Sequence, residues 1–199
     1  TVVARLTAAG GILLGKTNTP EFTWSNEADN DVFGRTSNPY DLTRTPGGSS
    51  GGTGAAIAAS FAIIGTGSDT GQSIRSPASA CALVGVRPTR GLVSRRGVMP
   101  FSPTQDEVGP LTRTVEDAAR MLDVMAGHDP EDPVTARGAG HVPASYRGAL
   151  APDAIRGARL GLLESFMGTS DVHQPVNAVV REAVARLGEL GATIVPVEI

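Results

Sequence analysis

The sequence is poor in the groups that most often carry protein chemistry. Its 199 residues include one cysteine (Cys81), one lysine (Lys16) and three histidines (His128, His141 and His173). A single cysteine excludes an internal disulfide and suits a reducing, cytoplasmic compartment. No HExxH or CxxC spacing occurs, so no metal site is expected. Aromatics make up only 4%, and the formal net charge is −3. A nucleic-acid partner would call for a basic face, and none is visible. The tightest cationic group, Arg87, Arg90, Arg95 and Arg96, has no interleaved aromatics. No apolar run approaches the roughly 20 residues of a membrane-spanning helix, and TVVARLTAAGG does not read as a signal peptide.

What remains is an ordinary soluble composition, 40% hydrophobic and 19% charged, long enough for one sizeable core and at most a small satellite domain. Gly (25) and Pro (14) together make up about a fifth of the chain, so loops are many. Val2, Val3, Leu6 and Ala9 have helical spacing, and Gly10-Gly11 stops that helix. Ile12-Leu13-Leu14 reads as a short buried strand, followed by a long polar loop to about Pro46. Residues 47–54, GGSSGGTG, open into a small-residue helix from near Gly52, then an apolar strand around 62–65. ALVGV (82–86) is apolar again. Thr114 with Asp117 forms a capping box of the Asp kind. The helix it opens puts Val115, Ala118, Ala119, Leu122 and Met125 on one face and ends at Gly127. Residues 128–155 read as a surface excursion. Strand 158–164, helix 176–191 and a final strand form a βαβ unit, which implies parallel pairing.

The histidines all lie in loop-like surroundings of the second half and make poor general bases. GGSSGGTG resembles a phosphate cradle, but no lysine follows as GK[ST] requires. Gly47-x-Ser49-x-Gly51 matches a nucleophile elbow, but DLTRTP, not an apolar strand, precedes it. A plain glycine-rich turn feeding a helix stays open for this motif. In GSDTGQSIR, Ser73 follows a strand-like run and a glycine turn whose successive N–H groups can converge on an anion. Asp69 and Arg75 either pair across that turn or are solvated loop charges. Trp24 and Phe33, in the loop before the glycine-rich motif, either line a pocket or pack.

PGGSSGG at 46–52 and GSDTGQSIRSPASACALVGVRPTRGLVSRRG at 67–97, flanked by LLGKTNTPEF (13–22) and DEVGPLTRTVEDAARMLDVMAG (106–127), resemble the amidase-signature family over nearly the whole chain. The resemblance implies an α/β fold, with a mixed, largely parallel sheet covered by helices. It makes residues 1–199 part of a single domain: a catalytic core segment at 1–127, the excursion at 128–155 and a βαβ segment at 156–199. It implies a Ser-Ser-Lys triad. Ser73 is the nucleophile, and Ser49, 24 positions earlier at a cis peptide, is the bridging serine. The backbone N–H groups of Thr70, Gly71, Gln72 and Ser73 form the oxyanion hole, with Ser50, Asp69 and Arg75 as structural support. The substrate implied is a small-molecule amide, with esters and carbamates as extensions of the same chemistry. No cofactor, nucleic acid or membrane is expected, and a homodimer is compatible.

Two departures stand out. The family's catalytic lysine precedes the GKTN motif, whereas Lys16 lies within that motif, so the chain is expected to be part of a longer enzyme that carries the lysine upstream. Gln72 stands where the family usually has glycine; it keeps the N–H but adds a side chain beside the scissile bond. Two further readings accompany the stand-alone amidase: the glutaminase subunit of a tRNA-dependent amidotransferase, and a non-catalytic scaffold. A phosphate-binding module is more distant.

Overall fold

The computed structural model describes residues 1–198. The chain separates into two compact units, Thr1–Ala149 and the segment from Leu150 onward.

In the first unit, helix α1 (Val2–Ala8) ends where Gly10 takes a positive φ of 93°. The Ile12–Leu14 segment, expected as a buried strand, is neither: the three side chains are 85%, 67% and 71% exposed. An apolar run becomes a strand only where another strand pairs with it, and none does so among the described residues. A two-residue ladder of β1 (Asp29–Asn30) and β2 (Gly34–Arg35) interrupts the long polar loop. Helix α2 (Gly51–Ala58) follows the glycine-serine motif.

Strand β3 (Ile64–Asp69) starts later and runs further than the apolar pattern predicts, through residues read as turn. The reason lies in its glycines. A Cβ at Gly65 would sit 2.5 Å from Thr53 Cγ2, and one at Gly67 would sit 2.9 Å from Ser50 Oγ. The bare backbone thus lets α2 lie directly on the strand. Helix α3 (Arg75–Ala80) and the short β4 (Val84–Gly85) come next. Strand β5 (Glu107–Thr112), wholly buried, occupies the centre of the sheet in the order β3-β5-β4, with both neighbours antiparallel to it. Helix α4 (Val115–Met125) begins as the capping pattern predicts: Thr114 Oγ1 accepts from the Asp117 N–H at 3.1 Å. At its other end Arg5 donates to the carbonyls of Met125 (2.7 Å) and His128 (2.8 Å), a cation placed at a helix C-terminus. Val2, Val93, Val108, Met121, Leu122 and Met125 form the main apolar core.

The second unit contains β6 (Arg159–Leu163), α5 (Gln174–Glu189) and β7 (Thr193–Val197). The two strands pair in parallel, as the strand-helix-strand pattern predicts. The fold is therefore mixed α/β, with parallel pairing among the described residues confined to this unit. No helix among them is long and apolar enough to cross a membrane.

Candidate active site

Two loops meet beside the end of β3. The first carries Ser49, whose peptide bond to Gly48 is cis. Its glycines are needed for close approach: a Cβ on Gly48 would overlap the Asn26–Glu27 peptide, and one on Gly52 would overlap the Asn18 backbone. Ser49 is 1% exposed, its carbonyl accepts from Thr19 Oγ1 at 3.1 Å, and its hydroxyl has no protein partner among the described residues. The second loop is the turn Thr70–Ile74 between β3 and α3. Ser49, Thr70, Gly71, Gln72 and Ser73 all line one open cavity of about 310 Å³.

Ser50 joins the two loops. Its N–H donates to the Ser73 carbonyl at 3.2 Å, and its hydroxyl bridges the Ser68 backbone, accepting from the N–H at 3.2 Å and donating to the carbonyl at 3.3 Å.

The turn is sorted by polarity. Three of its carbonyls are engaged: Gly71 accepts from Arg75 Nη2, Gln72 from the Ser76 N–H at 2.7 Å, and Ser73 from the Ser50 N–H. The N–H groups of Thr70, Gly71, Gln72 and Ser73 have no protein acceptor among the described residues, whereas the next two, Ile74 and Arg75, donate to Asp69 Oδ2 at 3.0 and 3.4 Å. Successive N–H groups left free in a turn can converge on an anion.

Asp69 is the anchor of this arrangement. The carboxylate is 1% exposed and pairs with Arg75 Nε at 3.2 Å and Arg87 Nη1 at 3.0 Å. Burial alone would raise its pKa. Hydrogen bonds from Arg75 and from the Ile74 and Arg75 N–H groups outweigh that and hold the carboxyl below the ordinary range. Asp69 and Arg75 are thus an ion pair across the turn, not solvated loop charges.

Other parts of the site are hidden in the sequence. Arg87 is visible there only as one of four neighbouring arginines; in the structure it ties Asp69 to the Gln105 carbonyl, 2.7 Å from its Nη2. Asp106 accepts from Thr70 Oγ1 at 2.5 Å and from the Phe101 and Ser102 N–H groups at 2.8–3.0 Å. Glu107, opposite Asp69 in the ladder, is buried with neither carboxylate oxygen hydrogen-bonded, and burial raises its pKa against the pull of Arg87, Arg90 and Arg95. The one signal for this pair is DEVGPLT, two acids ahead of an apolar run, but Gly109 and Pro110 disguise the strand. Trp24 does line the cavity, its ring 5.3 Å from that of Phe101, while Phe33 is 80% exposed and outside the cavity lining. Lys16 is exposed and does not line it, and neither does any of the histidines; His128 rests against Thr135 and His173 against Ser170.

The family model described as Amidase matches residues 1–199. This chain belongs to the amidase-signature family. It is 48% identical over 198 residues to a glutamyl-tRNA(Gln) amidotransferase subunit from Synechococcus sp. (strain JA-2-3B'a(2-13)), a match covering 100% of this chain and 38% of that protein. The structure resembles native peptide amidase from Stenotrophomonas maltophilia with a TM-score of 0.90 at 39% identity, over 99% of this chain and 41% of that one. It resembles the corresponding glutamyl-tRNA(Gln) amidotransferase subunit from Thermotoga maritima with a TM-score of 0.91 at 37% identity, over 100% of this chain and 42% of that one. The chain thus spans about two fifths of the length of these amidase-signature proteins.

Proposed function

We propose that this segment carries the nucleophile and the anion-binding turn of an amide hydrolase, acting through an acyl-enzyme on Ser73. The observation that carries this reading is the polarity of the 70–73 turn: four consecutive N–H groups unpaired at a cavity that also receives the Ser73 and Ser49 residues. Ser73 Oγ attacks the carbonyl carbon and gives its proton to Ser49 Oγ, which passes its own to a lysine of the full-length protein, as the family resemblance implies. Lys16 is not that base, being exposed and away from the cavity. The negative charge that develops on the substrate oxygen is met by the N–H groups of Thr70, Gly71, Gln72 and Ser73. Collapse of the intermediate breaks the C–N bond, the relay returns a proton to the departing amine, and water releases the acid. Gln72 adds its side chain to the cavity wall without deleting its N–H, so its influence falls on which amide enters. The substrate is a small-molecule amide, and the relay needs no cofactor.

The names of the curated relatives favour a second reading of the same chemistry, with glutamine as the amide and ammonia passed to a tRNA-dependent amidotransferase partner. Ammonia release from glutamine that rises only with partner protein and tRNA would select it over a stand-alone amidase.

Fluorophosphonate labelling of the full-length protein tests the common step. An adduct mapped to Ser73, absent in Ser73→Ala and formed about a hundredfold or more slowly in Ser49→Ala, is expected. An unlabelled protein that carries the upstream lysine would leave a scaffold as the better reading.

A further inference from the structure

In a planar peptide the N–H of one residue and the carbonyl of the residue before it point in opposite directions. A donor that grips the carbonyl from one side therefore aims the N–H towards the other. Three peptides of the turn are held in this way. The Gln72 carbonyl is gripped by the Ser76 N–H at 2.7 Å, which aims the Ser73 N–H. The Gly71 carbonyl is gripped by Arg75 Nη2, which aims the Gln72 N–H. The Asp69 carbonyl is gripped by Arg87 Nη1, which aims the Thr70 N–H.

Arg87 differs from the other two in origin. Ser76 and Arg75 belong to the helix that the turn itself opens, whereas Arg87 arrives from the segment after β4. Its guanidinium holds the Asp69 carbonyl, the Asp69 carboxylate at 3.0 Å and the Gln105 carbonyl at 2.7 Å. A charged donor on a carbonyl also polarises the peptide, so the N–H on its far side becomes a stronger donor.

We propose that Arg87 is a positioning residue for acyl transfer, aiming and polarising the Thr70 N–H at the oxyanion through the Asp69 carbonyl. The proposal rests on the reaction at Ser73 described above. Arg87 is absent from the lining of the Ser73 cavity, so it acts through the backbone and not on the substrate.

The test uses the full-length enzyme, its Arg87→Met and Arg87→Lys variants, a simple acyl p-nitroanilide as substrate, and an alkyl boronic acid that forms a tetrahedral anion on the nucleophile. Arg87→Met is expected to lower kcat by about tenfold to a hundredfold, less than outright loss of an oxyanion donor. Its KM is expected to change little, and boronate affinity to fall in parallel with kcat. Arg87→Lys, which keeps one cationic donor, is expected to recover part of both. Unchanged kcat in Arg87→Met overturns the proposal, as does a fall in kcat with wild-type boronate affinity, which marks a merely structural role. If Arg87→Met does not fold, Arg87→Lys decides alone: intermediate boronate affinity supports the proposal and wild-type affinity overturns it. Failure of the underlying reading looks different, because the unmodified enzyme then forms no fluorophosphonate adduct on Ser73.

Discussion

The Ser50 N–H donates to the Ser73 carbonyl at 3.2 Å, so the residue after one site serine is bonded to the backbone of the other. With its hydroxyl on the Ser68 backbone, Ser50 holds α2, the end of β3 and the Thr70–Ile74 turn in one register. Removing that hydroxyl leaves the Ser68 N–H without its acceptor. Ser50→Ala should therefore cost about 1–3 kcal/mol of stability. Thermal unfolding checks that cost, and slower fluorophosphonate labelling of Ser73 checks the loss of register.

Asp69 and Glu107 face each other across the ladder with pKa shifts of opposite direction. Asp69 lies below its ordinary 3.8, so its ionisation stabilises the fold above that pH, and the contribution is lost as pH falls through the lower folded value. Glu107 lies above its ordinary 4.5, so stability is lost as pH rises from there through its folded value. Glu107→Gln should raise the melting temperature at pH 7, with the gain vanishing near pH 4. Asp69→Asn should lower it at pH 7 and remove part of the acid sensitivity. Melting curves from pH 4 to 8 read both signs, and a Glu107→Gln gain that grew towards acid would contradict a buried carboxylate that has Arg90 only at 3.8 Å and no hydrogen bond.

Cys81 is 0% exposed, and burial pushes its thiol up to about 11. The native protein should resist iodoacetamide at pH 8 and react at this residue only after unfolding. Rapid native labelling would show that the packing between Cys81 and the Pro46 carbonyl opens easily.

Gly47 has a φ of 77°, and a Cβ there would lie 2.9 Å from Pro77 Cα. Gly47→Ala combines left-handed strain with a backbone collision, for a destabilisation of about 2–5 kcal/mol. Denaturant titration should show the midpoint falling with the slope unchanged. A near-neutral result would mean that the loop before Ser49 can move away from α3.

The parts of the fold that are legible in the sequence are those with a local cause. Helix α4 announces itself by Thr114, Asp117 and a regular apolar face, and the β6-α5-β7 segment by its alternation of patterns. The partners of Asp69 are harder to see. Arg87 reaches it from 18 positions away, and Glu107 meets it only because β5 lies antiparallel to β3. Strand β5 is hidden because Gly109 and Pro110 break a strand pattern, and Ile12–Leu14 misleads because an apolar triplet looks the same with or without a partner strand. Long glycine-serine motifs, not periodicity, point to Ser49 and Ser73. The free N–H groups of the turn emerge only from following where each carbonyl goes.

Because the free donors of the 70–73 turn are main-chain groups, no ordinary substitution deletes one; only proline removes an N–H. Side chains at these positions can therefore change without erasing the means of holding an anion. Gln72 illustrates the separation: it reshapes the cavity wall while its own N–H stays unpaired. In the proposed reaction, a turn built this way separates what is admitted to the cavity, set by side chains, from what meets the developing charge, set by a backbone that Arg75 and Arg87 hold from behind.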